Sequence, residues 1–183
     1  MVKNVFGSET MQKRLFWWQL GGFVFTSLGG ILLHYLYELT GKSTVAAAIS
    51  GVNESTWEHM KLLFFPLLIF ALIQSRCLKE KSFWCVKLFG TLLGLTLIPV
   101  LFYTANGAFG KTPDWYNIST FFISAAAVFA AEGFLFKKGI SCKSPCVAVA
   151  IFILIAAAFV AFTFNTPQLP LFKDPLSGRY GII

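Results

Sequence analysis

Apolar residues fall into five long runs along the chain, and polar residues are confined mainly to the short segments between them. A helix that crosses the hydrocarbon core of a bilayer needs roughly 20 consecutive, predominantly apolar residues. The pattern therefore predicts an all-α, polytopic membrane helix bundle in a single domain over residues 1–183. We expect the spans at about 15–39, 53–76, 83–103, 115–136 and 145–164, followed by a coil tail at 165–183.

The second run is the shortest, and its length affects the interpretation of the turn before it. The uninterrupted apolar part, 62–73, extends only about 18 Å as a helix, whereas the hydrocarbon core is roughly 30 Å thick. If this helix crosses the bilayer, the turn that holds Trp57, Glu58 and His59 must lie at or below the interface. Pro66 falls inside the run and is expected to kink the helix.

The same turn also carries ordinary helix-start signals. Asn53 and Ser55 are good N-cap residues, and Glu58 follows Ser55 by three positions, as in a capping box. Glu58 and Lys61 are three apart and could form an ion pair on one face. Capping alone is thus one interpretation of the turn, and capping combined with a functional polar site is the other.

Composition supports the membrane assignment. The 183 residues are 56% hydrophobic and 13% charged, whereas soluble domains carry about 25% charged residues. The polar start leads directly into a span too long for the apolar region of a signal peptide, so we expect no cleavable signal. The formal charge of +7 is better explained by membrane topology than by nucleic acid. The expected partner is the lipid bilayer, with no nucleic acid.

Charge also predicts the orientation. With the N-terminus in the cytoplasm, ten Lys and Arg residues fall in the inner segments and five in the outer ones. Positive residues are enriched in cytoplasmic loops, so this arrangement is favoured. Both histidines and most of the acidic residues then lie on the outer side. We expect a multipass protein of the plasma membrane, with its tail and any chemistry facing outward.

Histidine and glutamate at the outer ends of the first two spans indicate a metal site. His34 and Glu38 are four apart, as are Glu54 and Glu58, and such pairs share one helix face. Imidazole with carboxylate suits Zn, Mn or Fe. Glu38 stands at a helix C-terminus, where the dipole disfavours an anion unless a cation is near. We predict a divalent transition metal held by four ligands: His34, Glu38, Glu54 and His59.

Glu58 and Asp114 are the candidate catalytic bases at the same outer pocket. Asp114 follows Pro113 and could equally cap the fourth span. These residues suggest a metal-assisted hydrolase or transferase that acts on a lipid or envelope substrate. The alternatives are a transporter or binding protein for a cation or small solute, and an accessory subunit of a membrane complex.

The inner ends of the spans offer less chemistry. The cysteines all fall there and are expected to be reduced, incidental thiols: Cys77, Cys85, Cys142 and Cys146. Glu132, an acid within the fourth span, is expected to pair with Lys137 and Lys138, about one turn away.

Glycines and prolines suggest two further features. A small-residue stripe on the first span allows close approach of another helix and could support a homo-oligomer: Gly21, Gly22, Gly29 and Gly30. The proline-rich tail, with Leu171, Phe172 and Tyr180 as apolar anchors, is predicted to fold back over the outer pocket as a lid. The alternative is a frayed terminus.

Three motifs carry a family resemblance. They are the turn at 53–61 (NESTWEHMK), the His34/Glu38 pair, and the tail segment 170–181 (PLFKDPLSGRYG). Together they resemble a family of small bacterial multipass membrane proteins known only as a domain of unknown function, over nearly the whole chain. The resemblance implies a membrane setting and no particular activity.

Overall fold

The computed structural model describes residues 9–182, and all regular elements in that range are helical. Lys3, which the charge count includes, and Ile183 lie outside the described residues. Five of the described helices are long and apolar enough to cross a membrane, which confirms the predicted fold class. In chain order the elements are α1 (Glu9–Leu39), α2 (Thr44–Ala47), α3 (Thr56–Cys77), α4 (Phe83–Phe109), α5 (Asp114–Lys138), α6 (Pro145–Phe164) and a 3-10 turn (Pro170–Phe172).

α3 is the central helix of the bundle. It packs between α1 and α4, while α5 lies along both α4 and α1. Its buried side, with Leu62, Leu63, Leu67 and Phe70, meets Phe121 and other apolar residues of α5 in the largest core cluster. α6 packs mainly on α4; it is the most apolar span and the least buried. Such a helix, apolar all round, is suited to contact with lipid on most of its surface.

The glycines of α1 permit the close packing that the sequence predicts. A Cβ on Gly22 would lie 2.3 Å from the ring of Phe129, and one on Gly29 would lie 2.9 Å from Pro66. Gly30 similarly faces Phe121. These three glycines are therefore used within the chain, against α3 and α5. Only Gly21 of the stripe faces open space, so a homo-oligomer through this stripe stays a prediction and could use only that position.

The bundle has two ends, which differ in chemistry. The histidine end comprises the C-termini of α1, α4 and α6, the N-termini of α3 and α5, and the tail. The cysteine end comprises the C-termini of α3 and α5 and the N-termini of α1, α4 and α6. No bilayer is part of the structure, so the orientation of these ends stays a prediction.

A disulfide joins Cys85 and Cys142 at the cysteine end, with their Cα atoms 5.9 Å apart. The expectation that all four cysteines are free thiols is therefore wrong for this pair, while Cys77 and Cys146 are free and exposed. Packing of α4 along α5 brings the two cysteines together across 57 residues of sequence. Disulfides are rare in the cytoplasm, so this bond favours an orientation with the cysteine end outside it. The positive-charge bias favours the opposite orientation.

The tail is ordered and folds back onto α3. The rings of Trp57 and Phe172 lie 4.6 Å apart between centroids, and Phe172 is buried. The Asn53 side-chain amide donates to the Gly181 carbonyl at 2.7 Å. Asp174 closes the intervening turn by accepting from the backbone N–H of Leu176 at 2.8 Å. The tail is thus fixed to the turn that precedes α3.

Candidate functional site

The start of α3 is capped as its sequence indicates. Ser55 is the N-cap residue, and its hydroxyl accepts from the Glu58 N–H at 3.4 Å. Before the cap residue, the side-chain carbonyl oxygen of Asn53 accepts a hydrogen bond from the Ser55 N–H at 2.8 Å. Glu58 reaches back to the Val52 N–H at 3.2 Å. These bonds satisfy backbone donors that a helix start otherwise leaves free, and they fix the direction of the side chains that follow.

The capping directs the Glu58 side chain into a buried hydrogen-bond network. Its carboxylate lies 2.6 Å from the Lys61 ammonium, which is fully buried. The same ammonium donates to the Ala47 carbonyl at 3.0 Å and to the Thr163 hydroxyl at 2.9 Å. All three ammonium donors therefore have acceptors. Glu58 is engaged here and is not among the residues that line the cavity described next.

A cavity of about 230 Å³ opens at the histidine end, between α1, α3, α4, α5 and the tail. Ile98 and Phe102 of α4 form its apolar side, and Pro175 and Leu176 of the tail line it as well. Most of the lining surface is apolar, and seven polar side chains are set in it: His34, Glu54, Thr56, His59, Asp114, Asn117 and Thr120. We call this the polar cavity after these side chains; the tail covers part of it, and its role as a lid stays a prediction.

Glu54 lies between the two histidines. Its Oε1 atom is 3.6 Å from His34 Nε2, and its Oε2 atom is 3.6 Å from His59 Nε2. The two imidazole rings are 6.2 Å apart between centroids. Hydrogen bonds from nitrogen to oxygen are typically about 2.7–3.2 Å long. The carboxylate therefore faces both rings at a distance slightly longer than direct hydrogen bonding.

The tautomer of a neutral His59 ring is indicated by its other nitrogen. His59 Nδ1 lies 3.0 Å from the Ser55 carbonyl oxygen. A carbonyl can only accept, so Nδ1 must carry the hydrogen, and Nε2 of the neutral ring then carries the lone pair. That lone pair is on the nitrogen closest to the Glu54 carboxylate. Two acceptors that face each other repel unless a cation, either a proton or a metal ion, lies between them.

Of the remaining predicted residues, one lines the cavity and one does not. Asp114 lines the cavity; it is the first residue of α5, after an N-cap at Pro113, so the capping interpretation is wrong by one position. Glu38 points to Lys42 at 3.9 Å, is exposed, and does not line the cavity. Lys42 is the nearby cation that a carboxylate at the C-terminus of α1 requires.

The structure thus brings together His34, Glu54 and His59, with Asp114 in the same cavity. Within residues 9–182, no group of three or more His, Cys, Asp and Glu side chains is placed so that it could hold a metal ion. Sequence reasoning missed Thr56, Asn117 and Thr120. Asn117 follows Asp114 by three residues, and Thr120 follows Asn117 by three, so successive i, i+3 steps along α5 were the signal that could have indicated them.

A second buried ion pair lies toward the cysteine end. Lys87 of α4 contacts Glu132 of α5 at 2.7 Å, and both are buried. The expected pairing of Glu132 with Lys137 and Lys138 is wrong, because residues five and six positions along a helix do not share its face. Gln19 of α1 and Gln74 of α3 are also buried near this end, and no described residue forms a hydrogen bond with either side-chain amide.

Comparison with known proteins gives a family and no activity. The model of a family of unknown function, DUF6512, matches residues 8–182. No curated protein matches the chain, and no solved structure does. The geometry of the described residues is therefore what indicates a function.

Proposed function

The chain belongs to the DUF6512 family, whose function is unknown, and we propose from the cavity geometry that it is a metal-assisted membrane hydrolase or transferase. His34, Glu54 and His59 bind a divalent transition metal ion, Zn, Mn or Fe. Asp114 acts as general base. The substrate is a lipid or another envelope component whose reacting group enters the cavity at the histidine end.

The observation that supports the metal is the arrangement of acceptors around Glu54. His59 Nε2 and one carboxylate oxygen of Glu54 are 3.6 Å apart, and the other oxygen is 3.6 Å from His34 Nε2. Two ligands of a tetrahedral ion, each about 2.1 Å from it, are themselves roughly 3.4 Å apart. Each histidine–oxygen pair thus has a spacing close to that of two ligands of one ion and longer than a hydrogen bond, and a single ion would bind all three side chains only after they move closer together.

The ligand set also suits catalysis. Two histidines and one glutamate leave a coordination position open for water, as catalytic zinc sites do. The bond from His59 Nδ1 to the Ser55 carbonyl is the kind of contact that orients a metal-binding imidazole. A fourth protein ligand is not needed, which is consistent with the position of Glu38 outside the cavity.

The proposed reaction uses the metal to make a bound water more acidic. The water oxygen bonds to the carbonyl carbon or phosphorus of an ester, Asp114 accepts the water proton, and the leaving oxygen receives it as the ester bond breaks. A transferase would use an alcohol in place of the water. Asp114 is suited to this role because it lines the same cavity and is exposed to solvent.

Metal content tests the proposal directly. We expect about one equivalent of a transition metal per chain by elemental mass spectrometry, after purification without chelator. His34→Ala, His59→Ala and Glu54→Gln should each lose it because each removes one proposed ligand. Glu38→Gln is the matched control and should retain it. If the wild-type chain holds no metal above trace, even after incubation with Zn, Mn or Fe, the proposal is wrong.

Transport of a small solute or cation is the second candidate. The buried polar side chains near the cysteine end favour it: Gln19, Gln74, Lys87 and Glu132. An apolar layer with Leu63, Leu67 and Phe121 packs between these residues and the polar cavity. Transport would require that layer to open. Solute flux into proteoliposomes, abolished by Glu132→Gln, is the expected result under this alternative.

A further inference from the structure

A second cavity adjoins the polar one and opens between α1 and α5. Its volume is about 270 Å³. It shares His34, His59 and Ile118 with the polar cavity, so the two cavities adjoin each other at these residues. We call this second cavity the α1–α5 cleft. Beyond the shared residues its lining is almost entirely apolar and includes Ile31 and Phe122.

The walls of the α1–α5 cleft lie on the outer surface of the bundle. Ile31 is 45% exposed and Ile118 is 57% exposed, and Tyr35, beside them, is 58% exposed. All three belong to helices that are long and apolar enough to span a membrane. In a bilayer, exposed apolar side chains of such helices contact hydrocarbon. The cleft is therefore a recess in the surface that the lipid chains meet.

The lining loses its charged side chains along the axis of α5. Asp114 begins α5 and lines the polar cavity, Ile118 belongs to both cavities, and Phe122 lies only in the cleft. At the helical rise, Ile118 and Phe122 lie about 6 Å and 12 Å below Asp114. This order matches an amphipathic molecule that stands along the bilayer normal, with a polar head above its chain.

The covering of the polar cavity supports entry from the side. Pro175 and Leu176 of the tail line that cavity, and the tail is fixed at Asn53 and Trp57. At the base of the cleft, Gly30 leaves room for the ring of Phe121. A lipid that enters between α1 and α5 reaches the histidines without displacing the tail.

We infer that the α1–α5 cleft binds one hydrocarbon chain of a bilayer lipid and brings the ester or phosphoester of that lipid to His34, Glu54 and His59. The inference rests on the proposed function and specifies its substrate class. It requires that lipid enters laterally from the membrane. It also assigns Ile31, Ile118 and Phe122 as the residues that contact the chain.

Photolabelling in nanodiscs tests the inference. The probe is a phosphatidylcholine with a diazirine on one acyl chain, and the labelled sites are mapped by peptide mass spectrometry. We expect labels concentrated on α1 near Ile31 and on α5 near Ile118 and Phe122. Ile118→Trp fills the cleft and should reduce this labelling at least fivefold. Ile123→Trp changes the same residue type on the same helix, at a position 53% exposed outside the cleft, and should leave it unchanged.

A second variant distinguishes filling of the cleft from misfolding of Ile118→Trp. Ile31→Trp fills the cleft from the opposite wall and should give the same loss, while both variants retain the helix content of the wild type. Labels spread evenly over all lipid-facing helices would overturn the inference. So would cleft labelling that neither tryptophan reduces.

Metal content separates this inference from the proposed function. Ile31→Trp changes a residue that lines the cleft and not the polar cavity, so it should retain the metal while it loses the lipid label. Metal without cleft labelling would refute lipid access and leave the metal site standing. Cleft labelling in a chain that binds no metal would refute the metal-assisted reaction and leave the lipid site standing.

Discussion

Two buried lysine–glutamate pairs lie in opposite halves of this protein, and they are built differently. Glu58 and Lys61 lie three residues apart on α3, and the ammonium also contacts Ala47 and Thr163. Lys87 and Glu132 join α4 to α5 across 45 residues of sequence. Each of the four side chains is almost completely buried. The first pair is part of a closed hydrogen-bond network, and the second is an isolated contact between helices.

The difference lies in what surrounds each charge. Lys61 has three oxygen acceptors, whereas Lys87 has one, together with the rings of Phe70 and Phe129 at 5.5 Å and 5.2 Å from its ammonium. The second carboxylate oxygen of Glu132 has no hydrogen-bond partner among residues 9–182. A buried network is most stabilising when every member is satisfied. The Lys87–Glu132 pair should therefore be the more sensitive of the two to loss of one partner.

Lys87→Met should give the largest effect. Removal of one partner from a buried pair leaves an uncompensated charge and costs about 3–5 kcal/mol. We expect a loss of that size in the free energy of unfolding, measured in mixed detergent micelles with increasing SDS.

The double variant Lys87→Met with Glu132→Met is the control for that result. It removes both charges at similar side-chain volume, and such replacements are often neutral or stabilising. We expect it to recover most of the lost stability. A double variant as unstable as Lys87→Met alone would mean that the cost came from packing and not from the unpaired charge.

Glu58→Gln should have a smaller effect than Glu132→Gln. After the change, Lys61 retains two neutral acceptors, so we expect a loss of about 1–3 kcal/mol. Lys87 would retain only the amide oxygen and two rings. The same unfolding assay on both variants measures the difference. Equal losses would show that the extra acceptors of Lys61 do not contribute.

Thr163→Val should give the smallest effect, about 1 kcal/mol, because it removes one hydrogen bond to Lys61 and keeps the shape of the side chain. Thr96→Val is the matched control, since Thr96 is exposed and bonds only to the Leu92 carbonyl of its own helix. If both variants unfold at the same SDS fraction, the contact from α6 to Lys61 is not stabilising.

The two pairs also show what sequence can predict. The Glu58–Lys61 pair and the Ser55 cap are local, so spacing along one helix indicated them. The Lys87–Glu132 pair depends on how α4 and α5 are rotated against each other, and nothing in the spacing of either helix encodes that rotation. The Cys85–Cys142 bond was missed because it depends on where the segment between α5 and α6 lies against α4.

The candidate site was partly predictable on the same grounds. Apolar run lengths gave five spans, and the position of polar residues at one end placed His34, Glu54 and His59 near each other. Glu38 shares a helix face with His34, but α1 ends at Leu39 and the chain turns at Gly41, which has a positive φ of 66°. Lys42 then lies beside Glu38. The pair His34/Glu38, predicted as metal ligands, and the exposed ion pair Glu38/Lys42 are both spaced four residues apart. Spacing in sequence therefore does not distinguish the two.

The contact between Lys61 and Thr163 has a consequence for biosynthesis. The two residues are 102 positions apart, and ribosomes add about 5–20 residues per second. Roughly 5–20 s therefore pass between the synthesis of Lys61 and the synthesis of its partner on α6. During that interval Glu58 is the acidic group available to it in the same helix. The i, i+3 pair thus allows a lysine to enter the membrane before the helix that completes its coordination exists.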